Sequence, residues 1–430
     1  MHNKYINTLH KFIDDEYEGR ACLEISDKAC KVVPGNALFV IVSLVLSKIA
    51  DTLASAKIVL PWLMTATGAP IFLISLLVPI REAGSMLPQL ILGAFIRQKP
   101  IRKNYLVVGA LLQSVMIAGL LLVGLYLTDM LAGIAIVVLT LFFSLARAIA
   151  SIASKDVIGK TIPKKKRGLL TGKAATISGL FSIVLGGMLL FYYEDKNGVS
   201  ELLIIAIVSF TLCALTWGFV KEYPGATSGS VNGLSLAVDN LVVACKNKDF
   251  VRFVIVRGLM ITSGLGVPYF VLLIQQETSG TLSNLGSLII LSGAASFVSG
   301  AIWGRLADRN SKGLITLIAI INMLIFLVGM LVHGLDSASL YGYLAFFFSL
   351  SVMHEGVRQA RKTYIIDMAE DDKRTAYVTV SNTLIGILLL FIGAVSGVIA
   401  HYSITAVLAT FAMLSLIAAM LSTQLKNVSQ

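Results

Sequence analysis

About twelve apolar runs of roughly 20 residues each, joined by short connections, leave this chain few folds to choose from. They lie at 37–60, 70–95, 104–127, 131–153, 172–193, 201–220, 251–274, 284–304, 314–334, 339–360, 376–399 and 403–423. A run of this length crosses a hydrocarbon core as a helix, because a helix satisfies its own backbone polar groups where there is no water. With 56% hydrophobic and 14% charged residues among 430, the apolar surface exceeds what a soluble core of this size buries. The expectation is an all-α polytopic membrane protein embedded in the lipid bilayer.

The bases fix an orientation. Connections 61–69, 128–130, 275–283 and 335–338 contain no Lys or Arg, and 194–200 has only Lys196. The alternate connections carry Arg97, Lys99, Arg102 and Lys103, then Lys160, Lys164, Lys165, Lys166 and Arg167, then Lys246 and Lys248, then Lys373 and Arg374. Such an excess marks the cytoplasmic side, so both termini are expected in the cytoplasm, with a bacterial inner membrane as the location. The formal charge of +11 therefore reads as an orientation signal and implies no nucleic acid. Cysteines at 22, 30, 213 and 245 lack metal, redox or disulfide spacing and read as unpaired.

Four regions are expected. Residues 1–35 form a cytoplasmic tail without a cleavable signal, in which Tyr5, Ile6, Leu9, Phe12, Ile13 and Tyr17 recur at helical spacing. That helix would lie on the membrane surface or against the protein's own loops. Residues 36–220 form a six-helix bundle, 221–250 a linker with an interfacial helix over Leu234, Val238, Leu241, Val242 and Cys245, and 251–430 a second six-helix bundle.

The hairpin between the eighth and ninth runs reads SGAIWGRLADRNSKG. Its order, with Gly304 closing one helix, then Asp308, Arg309, Ser311 and Lys312, resembles the signature of the major facilitator superfamily. The halves also repeat: a shift of 207 sets Pro61-Trp62 on Pro268-Tyr269 and Lys166-Arg167 on Lys373-Arg374, and a shift of 211 sets Gly93 on Gly304. The resemblance implies twelve helices in two six-helix pseudo-repeats, a substrate held between them near mid-membrane, and halves that rock about it. The first-half copy, GAFIRQKPIRK, departs from the pattern, with Arg97 where the family has its acid. The resemblance thus assigns the cytoplasmic gate to Gly304, Asp308 and Arg309 with Gly93 and Arg97, and leaves the acid's latching role to Asp308. Arg147, followed by small residues, resembles the family's fourth-helix arginine. Ser178, Ser182, Gly186 and Gly187 lack the proline of its drug-exporting branch.

An ionisable residue at a helix centre costs about 2.5–3.5 kcal/mol on insertion scales, so each one present must face a partner or a wet cavity. Lys48 and Asp51 share a face of the first run at i,i+3, and Arg81 and Glu82 adjoin in the second. Arg147 and Arg257 sit below mid-run in opposite halves, and the tenth run holds His354, Glu355 and Arg358. Candidate proton-coupling groups are Asp51, Glu82, His354 and Glu355, with Asp51 or Glu82 preferred. Candidate substrate ligands are Lys48, Arg81, Arg147, Arg257 and Arg358, with Trp62 and Tyr269. HEGVR lacks the second histidine of a zinc-protease face, and no phosphate-cradling glycine loop followed by lysine occurs. No metal, cofactor or enzymatic chemistry is implied.

Five intramembrane bases oppose three acids in this set, which favours an anion. The expected function is a monomeric, proton-coupled secondary transporter of a small organic anion or acidic metabolite. Two alternatives stand beside it: a proton-antiporting drug or metabolite exporter, and a non-transporting receptor or assembly protein on the same fold. The asymmetric signature makes its own prediction. Asp308→Asn raises the labelling rate of cysteines introduced on the cytoplasmic side, whereas Arg97→Ala changes it little; the reverse order would place the latch in the first half.

Overall fold

In the computed structural model the described residues are 31–192, 198–224, 242, 244, 246–278, 282–335, 339–368 and 374–428. They are almost wholly helical and form twelve consecutive passes. The first is broken into α1 (Val33–Leu53) and α2 (Val59–Ala66), and the second into α3 (Ile71–Met86) and α4 (Gln89–Arg97). The third to sixth are α5 (Lys103–Tyr126), α6 (Asp129–Thr161), α7 (Lys164–Tyr192) and α8 (Gly198–Phe219). The seventh is broken twice, into α9 (Lys248–Leu259), α10 (Thr262–Leu265) and α11 (Val267–Thr278). The rest are α12 (Leu282–Arg309), α13 (Ser311–Gly334), α14 (Leu340–Met368), α15 (Arg374–Tyr402) and α16 (Ile404–Ser422). Ten passes are long and apolar enough to cross a membrane, and α12 contributes the shorter apolar stretch Ser283–Ser299. The remaining pass, α14, is the one loaded with His354, Glu355, Arg358, Arg361 and Lys362.

The breaks have local causes. After α1 the Ser55 hydroxyl accepts the Lys57 N–H at 3.3 Å, and the Ser55 carbonyl takes the Leu60 N–H at 2.9 Å. Those bonds replace the helical ladder for a turn. Gly264, Gly266 and Pro268 crowd the corresponding place in the seventh pass, and Pro88 ends α3. The first pass consequently runs on to Ala66, where the hydropathy pattern suggests a connection.

Within the first six passes, α1 packs on α7 and α8, α5 on α6 and α8, and α3 on α6. Within the last six, α12 packs on α14, and α13 on α14 and α16. Two seams join these sets: α3 with α15, and α7 with α12. Both are close approaches over glycine. A Cβ on Gly286 would stand 2.7 Å from the Gly186 carbonyl oxygen, and one on Gly397 would stand 3.1 Å from the Phe72 carbonyl oxygen.

The charged loops are anchored by specific bonds. Glu222 accepts the backbone N–H groups of Arg102 and Lys103 at 2.8 and 2.7 Å, capping the positive start of α5, and pairs with Lys160 at 3.0 Å. Arg102 pairs with Asp156 at 2.9 Å. The departed first-half signature is therefore tied down within its own half. In the second, Asn310 caps α13 by accepting the Gly313 N–H at 2.8 Å. The side chains of Arg97, Gly304 and Asp308 lie outside the described residues, as do the tail helix and nearly all of the linker helix.

The glycine seam predicts that Gly286→Val destabilises the protein by about 1–3 kcal/mol, since the new atoms meet backbone that has nowhere to go. Gly187→Ala, with nothing within 4 Å of its added methyl, leaves the thermal midpoint unchanged in the same detergent. Equal midpoints for the two variants would refute the close seam.

Candidate functional site

Two groups of charge lie inside the bundle. The first centres on Asp51, whose position on α1 faces α3 and α6. One of its oxygens pairs with Arg81 at 3.1 Å and the other with Arg147. Arg81 also stacks its guanidinium over the Phe143 ring at 4.4 Å, and Arg147 donates to the Ser47 hydroxyl at 3.2 Å. Both oxygens of Asp51 are thus committed to guanidinium groups of the first half.

The second group surrounds a small, partly open cavity between the halves, of ≈ 40 Å³. At about 15 Å³ per water centre that is room for two or three waters. Lys57 and Glu82 line it from the first half, and Arg257, Ser263, His354, Arg358 and Arg361 from the second. The break after α1 brings Lys57 to this depth, and the break in the seventh pass makes room opposite. A Cβ on Gly264 would stand 2.8 Å from the His354 ring, so only glycine admits the imidazole there. Arg81 and Glu82, neighbours on α3, diverge: the guanidinium turns to Asp51 and the carboxylate to the cavity.

Lys57 Nζ lies 2.7 Å from His354 Nε2, and His354 Nδ1 lies 3.1 Å from the Ser263 hydroxyl. That hydroxyl donates to the Met260 carbonyl at 3.0 Å, so it accepts from Nδ1–H. Nε2 is left as the acceptor of a Lys57 proton. This chain of bonds spans the two halves.

Arg257 is 7% exposed. It donates to the hydroxyl of Ser381 and, at 2.8 Å, to the amide oxygen of Asn382, both on α15. Its Nε–H has no acceptor. Arg358 pairs with Glu355 at 3.0 Å on the more exposed rim, with side chains 55% and 34% exposed. Lys48 is half-buried on α1 and faces Arg358 and Glu355 of the second half.

Trp62 and Tyr269 do not line this cavity. Both are 2% exposed, in the packing at the other end of the bundle. There Tyr269 donates to the Ser75 hydroxyl at 2.9 Å and Gln275 donates to the Trp62 carbonyl at 3.4 Å, joining the halves. Arg147 and Arg257 do not converge either, since Arg147 turns to Asp51. Two charged cavity residues escaped the sequence reading, Lys57 and Arg361, as did the neutral Ser263. His354, Arg358 and Arg361 recur at i, i+4 and i+7, one helical face, which is the signal that identifies Arg361. Among the described residues no three His, Cys, Asp or Glu side chains come together as a metal site.

The family model described as Major Facilitator Superfamily matches residues 40–357, most of the chain. The chain belongs to the major facilitator superfamily. Solved structures agree on the fold. A D-xylose-proton symporter is similar at 14% identity over 94% of this chain and 98% of that chain, with a TM-score of 0.62. The xylose transporter XylE from E. coli in an inward open conformation gives 13% identity, 93% and 95% coverage and a TM-score of 0.61. A peptide transporter, POT, gives 11%, 91% and 94%, with 0.68. No curated protein matches the sequence. As a superfamily member, the chain is an integral, multi-pass membrane protein with a transporter fold.

The clamp on Asp51 generates a stability prediction. Asp51→Asn leaves two guanidinium groups facing each other in a site of low dielectric, at a cost of about 2–3 kcal/mol. Adding Arg147→Gln to that variant recovers part of the loss, by removing one of the two. An unchanged thermal midpoint in Asp51→Asn would mean that the clamp does not hold the first half together.

Proposed function

We propose that the protein is a proton-coupled secondary transporter of a small organic anion or acidic metabolite, working by alternating access as a monomer. The observation that carries this reading is the charge around the cavity. Lys57, Arg257, Arg358 and Arg361 oppose Glu82 and Glu355, four bases against two acids, with His354 holding an acceptor nitrogen toward Lys57. A largely buried site with surplus positive charge is completed by an anion. An exporter of cations would need the opposite balance, and Asp51, its best acid, is already engaged twice.

Coupling is assigned to His354 in preference to Asp51 or Glu82. Lys57 and His354 share one proton across 2.7 Å. A second proton puts two donors face to face, so the bond between the halves must break. An arriving anion offers both of them an acceptor, and proton and anion then enter together. The two rocking units are residues 36–220 and 251–430, turning on the glycine seams, with both termini on the cytoplasmic side of a bacterial inner membrane. A proton symporter and a peptide transporter on the same fold make such coupling a reasonable precedent.

The test uses the purified chain in proteoliposomes with a panel of organic anions and neutral analogues. An imposed proton gradient drives uptake of an anion and not of its neutral analogue. His354→Gln keeps an acceptor for Lys57 but takes no proton, so gradient-driven accumulation falls at least tenfold while counterflow exchange stays within about threefold. Undiminished accumulation in His354→Gln would move the proton elsewhere. Absence of anion flux across the whole panel would overturn the transport reading itself.

A further inference from the structure

Around the cavity the charges do not cancel evenly. Arg358 is taken by Glu355 at 3.0 Å on the same helix. Glu82 and Lys57 line the cavity together from the first half, one acid beside one base. What remains is Arg257 and Arg361.

Arg257 is buried with only neutral partners, Ser381 and Asn382, and its Nε–H lacks any acceptor. Arg361 lines the same cavity, and the charges that act on it are Arg358, Glu82 and Glu355, none of them in hydrogen-bonded contact with it. Arg361 is also the charge felt by Arg257. Two guanidinium groups that repel each other at one small, largely buried cavity are unfavourable until something negative lies between them. Guanidinium groups present planar pairs of N–H donors that match the oxygens of carboxylates and phosphates.

Building on the anion reading above, we propose that the cavity is a site for a compact dianion, with Arg257 and Arg361 as its ligands from the second half and Lys57 as its ligand from the first. Two uncompensated charges call for two negative charges. A monoanion would satisfy one guanidinium and leave the other bare. The volume of ≈ 40 Å³ favours a short ligand, with its two charges a few bonds apart, and admitting it requires the Lys57–His354 bond to part and the cavity to widen. A short dicarboxylate and a phosphate monoester share this chemistry. Each brings two charges and at least three acceptor oxygens for the two guanidinium groups and the Lys57 ammonium. Asn382 and Ser381 act as positioning residues, holding the end of Arg257 while its Nε–H stays available.

The experiment measures binding to the full chain in nanodiscs at pH 7.5 with four probes: succinate, ethyl phosphate, lactate and the neutral lactamide. Succinate or ethyl phosphate is expected to bind at least tenfold more tightly than lactate, and whichever of the two is preferred identifies the source of the dianion. Arg361→Gln removes one of the two uncompensated charges. It lowers dianion affinity at least tenfold, leaves lactate within about threefold, and raises the ligand-free thermal midpoint, because no hydrogen-bonded partner is lost. Arg361→Lys, which keeps the charge and loses the fork, falls between. An unaltered ratio of dianion to monoanion affinity in Arg361→Gln overturns the assignment, as does a lower ligand-free midpoint. Tight lactate with weak dianions overturns the dianion class and leaves the anion reading standing. No binding or flux of any charged probe overturns both.

Discussion

A charge buried in a membrane protein needs a counter-charge or water, and the interior of this bundle is arranged by that requirement. In the first half it is met internally: Asp51 receives one guanidinium on each oxygen, and the aromatic face of Phe143 shares Arg81. Such a clamp is rigid, because loss of the Asp51 carboxylate would leave two guanidinium groups facing each other. In the second half the requirement is left unmet. Among the described residues, Arg257 has neutral partners and Arg361 has no hydrogen-bonded one. The contrast separates a paired group from an unpaired one more sharply than the identities of the residues do, since both groups are rich in arginine.

Backbone breaks turn this electrostatics into geometry. Lys57 reaches the cavity only because the helix stops at Leu53 and resumes at Val59. His354 can face it only because the seventh pass is interrupted and carries Gly264 where any side chain would collide with the ring. Under the shift of 207 that superposes the halves, Lys57 falls on Gly264. One half thus supplies a side chain at the break and the other supplies a space for its partner, so a pseudo-symmetric frame holds a single asymmetric bond.

The passes, the loop charges and the second-half signature are legible in the sequence because each rests on a signal summed over many residues. Twenty apolar positions outvote one irregularity. The cavity was less legible for the same reason. Lys57 stands near the edge of an apolar run, where a lysine ordinarily extends its ammonium to the interface, and only the break at Ala54–Ile58 moves it inward. Arg361 lies just past the run as hydropathy bounds it, although α14 continues to Met368. Trp62 and Tyr269 were drawn into the candidate site by their matched positions in the two halves, yet matched positions serve packing as readily as binding. Arg147 and Arg257 sit at similar depth, and depth alone does not specify the helix face on which a partner waits.

The bond between Lys57 and His354 is small against the whole interface, which suits it to the controlling part that the proposed coupling gives it. The glycine seams and the contacts of Tyr269 and Gln275 hold the halves together at the Trp62 end, whether or not His354 is protonated. In the proposed cycle they would serve as the pivot and add little to the difference between states. A hydrogen bond to a charged group contributes about 1.5–3 kcal/mol, which converts to roughly a ten- to hundredfold shift in a two-state equilibrium. A much stronger tie would lock the halves, and a much weaker one would let them open without a proton. With Lys57 on one half and His354 on the other, the proposed coupling would let a single protonation event decide which state is populated, with an anion receiving both donors once they part.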